Sequence, residues 1–173
     1  MRFRGEDRSG VSLHRMEMNI RRAKEGDVPR MLELVRELAV FERAPEEVTV
    51  MLDHMRDAGF GPNPIWVGWV AEFDGIIQGM AVCYERYSTW KGRRLYLEDI
   101  VVTEAARGKG LGERLFRACA AYALSKEHDG MTWQVLDWNH GAVRFYERLG
   151  ASFSKEWWNG SVNKEQLKTL AAG

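Results

Sequence analysis

From Val28 the chain places Met31, Leu32, Val35, Leu38 and Ala39 at steps of three and four, the period of a helix with one apolar face. Asp27 stands before that pattern as a cap, and Pro29 falls in the first turn, where a missing N–H costs little. A shorter helix is expected over about Glu46–Ala58, stopped by Gly59 with Pro62 and Pro64 beyond. The pattern then turns to aromatic and β-branched residues. Trp66–Phe73 and Ile76–Glu85 flank Asp74-Gly75, which predicts a hairpin. Arg94–Val102 predicts a third long strand ending in the apolar run Ile100-Val101-Val102, and Asn19–Ala23 a short strand at the start. Beyond a glycine-rich loop, Leu111, Leu115, Cys119 and Tyr122 line one side of a helix. Met131–Trp138 reads as a strand, Gly141–Leu149 as a helix closed by Gly150, Ala151–Trp158 as a last strand and Lys164–Leu170 as a terminal helical turn. The order β-α-α-β-β-β-α-β-α-β predicts an α+β fold, a mixed central β-sheet flanked by helices.

There is no repeat, linker or low-complexity tract, so residues 19–173 are expected to form a single domain. Residues 1–18 are polar, basic and aperiodic and read as a flexible leader. Hydrophobic residues make up 45% and charged residues 29%, an ordinary globular composition. Lys plus Arg and Asp plus Glu balance at 25 each, which argues against a dedicated nucleic-acid binder. No stretch approaches the roughly 20 apolar residues of a membrane span, and the start lacks the apolar run of a secretory signal. A cytoplasmic protein with no nucleic-acid and no membrane partner is expected. Cys83 and Cys119 show no C-x-x-C spacing, and His14, His54, His128 and His140 are scattered, so no metal site is expected.

The chemistry concentrates in Ile100–Glu113, where an apolar strand runs into Arg107-Gly108-Lys109-Gly110-Leu111-Gly112 and a helix begins. Closely spaced glycines let backbone N–H groups converge, and a helix N-terminus adds partial positive charge, so a pyrophosphate can dock there. Lys109 and Arg114 are candidates to add side-chain charge. A nucleotide P-loop is excluded because Lys109 is followed by Gly110 where Ser or Thr is required. A dinucleotide fingerprint fails on spacing and on its late position in the chain.

Arg-x-x-Gly-x-Gly after an apolar strand resembles the acyl-CoA loop of the GCN5-related N-acetyltransferase (GNAT) superfamily. Asn139 followed by Arg144-Phe145-Tyr146-Glu147-Arg148-Leu149-Gly150-Ala151 resembles its second signature. The likeness spans about residues 19–160. The segments RRAKEGD, RELAVFE, DAGFGPNP, YSTWKGR, YLEDIVV and LDWN together resemble the diamine acetyltransferase family, its thialysine Nε-acetyltransferase branch most of all. The resemblance implies a GNAT fold, acetyl-CoA as co-substrate with no metal, a small-molecule amine as acceptor, direct transfer in a ternary complex, and a homodimer. A non-catalytic acyl-CoA-binding regulator and a protein lysine acetyltransferase are the alternatives.

The resemblance also assigns roles. Tyr146 matches the general acid near the thioester sulfur. Glu98 matches the strand carboxylate that binds the amine or relays its proton. Backbone amides of Ile100, Val101 and Val102 are expected to hold the pantetheine arm and the thioester oxygen. Arg107, Gly108, Lys109, Gly110, Leu111, Gly112 and Glu113 form the phosphate loop. Asn139 is a cofactor contact, a helix cap, or both. Phe41 and Glu42 at the end of the first helix, together with Ser88, match acceptor contacts. Phe41 stands where the polyamine branch has Tyr, and Ser88 where it has Asp, which favours a lysine-like acceptor. Arg86, Lys91, Arg93 and Arg94 suit a substrate carboxylate as well as a solvated hairpin. Alternation along a strand puts adjacent Glu98 and Asp99 on opposite faces, so at most one of them is expected in the cleft.

Overall fold

The computed structural model describes residues 17–172, in two compact units divided after Gln134. The first unit contains a five-stranded sheet in the order β1-β2-β3-β4-β5. Its strands are β1 (Met18–Arg22), β2 (Val67–Phe73), β3 (Ile76–Ser88), β4 (Gly92–Val102) and β5 (Met131–Thr132). Neighbours run antiparallel except β4 and β5, which are parallel, so the sheet is mixed as expected. Residues 1–16 of the expected leader lie outside the described residues; Met18 already pairs with Phe73. Asp74 and Gly75 both adopt positive φ (50° and 77°), the two-residue turn that matches strand twist.

Helix α1 (Val28–Phe41) buries Val28, Met31, Leu32 and Leu34. These pack with Met55, Val70, Met80, Val82 and Val101 on one face of the sheet. Asp27 does not cap α1 through its side chain. Its carboxylate accepts the Lys24 backbone N–H at 2.7 Å and pairs with Arg21 at 2.6 Å, so the cap is replaced by an ion pair that ties the turn to β1.

The second predicted helix is shorter than expected. Pro45–Glu47 makes one 3₁₀ turn, and α2 begins only at Leu52 and ends at Phe60. Val48, Thr49 and Val50 are β-branched in succession, and their restricted side chains favour extended backbone over a helical turn. Gly59 does not stop the helix; α2 passes through it, and a Cβ there would overlap the Trp66 indole.

Helix α3 (Leu111–Ser125) covers the opposite face of the sheet with Leu111, Leu115, Cys119 and Ala123. Cys83 and Cys119 are buried and unbridged. The neighbouring Cys119 thiol, with burial, holds the Cys83 thiol protonated.

The second unit holds α4 (His140–Arg148) and α5 (Lys164–Ala171). Two expected strands need correction. Met131–Trp138 is a strand only over Met131–Thr132, paired with Leu95 and Tyr96. Ala151–Trp158 forms no strand, because among the described residues no sheet edge pairs with it.

Candidate active site

Strand β4 has one more residue than β3 can pair. Leu97 stands opposite Cys83, and Asp99 stands opposite Val82, which leaves Glu98 as the extra residue of a bulge. An inserted residue inverts the side-chain alternation beyond it. Leu97 therefore shares the α3 face with Cys83, while Asp99 shares the α1 face with Val82, Tyr84 and Tyr96. The expectation that Glu98 and Asp99 point to opposite faces is thus overturned.

The electrostatics agree with one shared environment. Burial, then the charges of Glu98 and Glu42, push the Asp99 carboxyl up to about 6. Burial also raises Glu42, the residue after α1. Tyr84 and Tyr96, stacked at 5.0 Å, are both raised by burial and then by the Glu98 charge. Among the described residues, no Lys or Arg forms an ion pair with Glu42, Glu98 or Asp99. Three carboxylates grouped without a cation make a site for an ammonium. Asp99 is the residue that sequence reasoning missed. Its only signal is the bulge, which no local pattern announces.

Beyond the bulge, Ile100, Val101 and Val102 pair with Ala81, Met80 and Gly79. The Thr103 N–H donates to Gln78 O at 2.8 Å, so ladder alternation commits Val101 to β3 and turns the Ile100 and Val102 amides outward. Because β5 pairs only with Leu95 and Tyr96, that outward edge has no strand beside it among the described residues. An open strand edge is where an extended, amide-bearing chain can add itself.

The edge leads into the glycine loop. Gly108 and Gly110 take φ of 75° and 81° with open space around each, so the backbone curls and presents N–H groups. Gly110 begins α3 with no side-chain cap, which leaves the first-turn amides of Leu111, Gly112 and Glu113 available to an anion. The Arg107 Nε donates to the Val102 carbonyl at 3.2 Å, and its guanidinium lies 5.4 Å from the Phe41 ring centre. Lys109 lies over Phe73. Arg114 is directed elsewhere, donating to the Met18 carbonyl at 3.1 Å. Glu113 pairs with Arg117 at 2.8 Å. The Ser88 hydroxyl accepts the Trp90 and Lys91 amides at 3.3 and 3.2 Å and so shapes the β3–β4 turn.

In the second unit, Asn139 caps α4, its side-chain oxygen accepting the Ala142 N–H at 3.1 Å. Tyr146 lies two turns further along the same side of α4. It is buried, packed edge-to-face with Phe145 at 5.1 Å and Phe153 at 6.3 Å. Among the described residues, no group of three or more His, Cys, Asp or Glu could hold a metal, and no helix is long and apolar enough to cross a membrane.

Residues 28–151 match the Acetyltransferase (GNAT) family. The chain is 40% identical over 140 residues to thialysine N-epsilon-acetyltransferase of Bos taurus, covering 76% of this chain and 82% of that one. It is 37% identical to thialysine N-epsilon-acetyltransferase of Sus scrofa, covering 88% and 96%. Among solved structures, it resembles an aminoglycoside N-acetyltransferase in complex with CoA, with a TM-score of 0.72 at 17% identity over 88% of this chain and 99% of that chain. The fold, the open β4 edge running into the glycine loop and the family match agree, and the chain belongs to the GNAT family of acetyltransferases.

Proposed function

We propose that this acetyltransferase moves the acetyl group of acetyl-CoA onto the primary amine of a small molecule, a thialysine-like amino acid or a diamine or polyamine. The attack is direct, in a ternary complex, and residues 19–173 act as one catalytic domain. The observation that carries the acceptor class is the trio Glu42, Glu98 and Asp99, which is unbalanced by any cation among the described residues. The thialysine acetyltransferases of cattle and pig, to which the chain is similar along most of its length, support the same choice.

The co-substrate supplies a thioester, an acyl group already activated for attack. The Arg107–Glu113 loop and the uncapped start of α3 suit its pyrophosphate, and the outward amides of Ile100 and Val102 suit its amide-bearing arm. A free alkylamine has a pKa near 10 and reacts only after losing a proton. Asp99, with a pKa of about 6, is ionised at neutral pH and takes that proton directly or through Glu98 and water. Phe41 and Glu42 shape the acceptor pocket, with Ser88 further along β3. Asn139 positions the co-substrate, and Tyr146 gives the departing thiolate its proton, the roles their places in the family motif assign.

We further propose a cytoplasmic homodimer. Trp157 and Trp158, 76% and 96% exposed, support a protein contact in the C-terminal segment. Sedimentation of the wild-type chain and of Trp158→Ser separates dimer from monomer. The decisive experiment for function is CoA release from acetyl-CoA with thialysine, lysine, ornithine, putrescine, spermidine and a lysine peptide supplied in parallel. Turnover on the small amines alone is the expected outcome; turnover on the peptide alone sinks the reading.

A further inference from the structure

Four arginines and lysines of the β3–β4 arm suit an acceptor carboxylate by sequence, and the structure separates them. Arg93 pairs with Glu85 at 2.7 Å, and its register partner Tyr87 places it on the α3 face. Arg94 donates to the Met131 carbonyl at 2.9 Å, and its guanidinium lies where a Cβ on Gly130 would fall. Lys91 sits in the turn that Ser88 caps. Arg86 faces Arg94 across the ladder but makes neither an ion pair like that of Arg93 nor the carbonyl contact of Arg94. No carboxylate among the described residues pairs with it, and its guanidinium lies 5.7 Å from the centre of the Tyr96 ring.

Register puts Arg86 on the face that carries Tyr84, Tyr96 and Asp99. That face therefore runs from a carboxylate group (Glu42, Glu98, Asp99), past a pair of stacked phenols, to the Arg86 guanidinium. Tyr96 and Asp99 stand opposite Tyr84 and Val82, two residues apart on β3, and strands rise about 3.3 Å per residue, so the two positions lie roughly 7 Å apart along the ladder. A chain of lysine length fits that interval, with its terminal ammonium at the carboxylates, its methylenes on the phenol rings and its carboxylate at Arg86. A diamine would bring a second ammonium to the same guanidinium and meet repulsion.

Resting on the amine-acetyltransferase reading above, we infer that Arg86 is a specificity-determining residue that binds the α-carboxylate of the acceptor, so that the preferred acceptor is an ω-amino acid rather than a diamine. Arg suits this role because its planar fork meets a carboxylate with two parallel hydrogen bonds.

The test compares three acceptors that share one amine: lysine, lysine methyl ester and cadaverine, each assayed by CoA release with wild-type protein, Arg86→Leu and Arg86→Lys. The wild-type protein should favour lysine. Arg86→Leu should raise the KM for lysine about 10- to 100-fold with kcat little changed, the range expected for a lost charge-assisted contact. The same variant should leave the ester within two-fold and lower the KM for cadaverine, whose second ammonium no longer meets a guanidinium; turnover on both also shows that it is folded. Arg86→Lys should recover part of the lysine KM. Equal losses on all three acceptors, or an unchanged KM for lysine, overturn the inference while leaving amine acetylation intact. Absence of wild-type turnover on all three and on every other small amine overturns the amine reading itself, and the Arg86 assignment with it.

Discussion

The ammonium of Lys109 lies 4.3 Å from the centre of the Phe73 ring. Phe73 ends β2, immediately before the Asp74-Gly75 turn, and Lys109 stands between the two glycines of the loop. The ring thus restrains the Lys109 cation, which stands between two glycines where the backbone is otherwise permissive. Removing the ring as Phe73→Leu frees that cation, and exposed cation–π contacts are worth about 0.5–1 kcal/mol. Acetyl-CoA affinity, measured by calorimetry, should fall about two- to five-fold. Lys109→Met should fall further and flatten the salt dependence of binding; unchanged affinity in both variants removes Lys109 from the phosphate site.

Asp99→Asn should trade activity for stability. The folded-state carboxyl sits at about 6 against an ordinary 3.8, so between those values the folded chain keeps a proton that the unfolded chain has lost. Lowering pH through that window stabilises the fold, and above pH 6 the full cost of the ionised carboxylate is present. Neutral Asn removes that cost, about 1–3 kcal/mol at most. Thermal unfolding should show a larger gain for the variant at pH 8 than at pH 5. Equal gains at both would mean that ionisation of Asp99 is not what strains the site. In the pH profile of kcat/KM, the acidic limb near pH 6 should vanish with the substitution.

Tyr146→Phe keeps the ring that packs on Phe145 and Phe153 and removes only the hydroxyl. Turnover should drop by about 10²- to 10⁴-fold, the usual loss of a general acid, with acetyl-CoA binding retained. Full turnover in the variant would move the acid role to another group or to water.

Gly59→Ala tests packing against propensity. Alanine is worth about 1 kcal/mol more than glycine inside a helix, so a helix scale predicts a gain. The Trp66 indole occupies the place of the new Cβ, and its Nε1 is tied to the Met55 carbonyl at 3.2 Å, so it cannot simply swing away. Urea unfolding should instead reveal a loss of about 1–3 kcal/mol.

The contrast between Gly59 and Gly75 indicates how much the sequence discloses. Gly75 acts through its own φ, a local property, and the hairpin it makes is legible beside Asp74. Gly59 acts through a residue seven positions away, and local reasoning mistakes it for a helix stop. The same division runs through the residues proposed to act. The Arg107–Gly112 loop and Tyr146 are motif residues whose proposed roles are suggested by adjacent positions. Asp99 and Arg86 gain their meaning from register: one from an extra residue in β4, the other from what its neighbours Arg93 and Arg94 are bound to. The absent strand at Ala151–Trp158 has the same cause. Its aromatic composition is strand-like, but a strand also needs a partner, and composition does not name one.

The bulge at Glu98 has a consequence for how the chain finds this fold. Strands β3 and β4 pair over Gly79–Ser88 and Gly92–Val102, long enough that a uniform ladder could slide and trap the hairpin in a wrong alignment. With one unpaired residue inside it, the ladder has two segments of opposite phase. A slip that satisfies Tyr84 and Tyr96 on one side of Glu98 exposes Val101 on the other, unless the bulge itself migrates. The residue that brings a second carboxylate to the pocket therefore also acts as a key against misalignment, and deleting it should slow refolding and yield off-register species as well as an inactive protein.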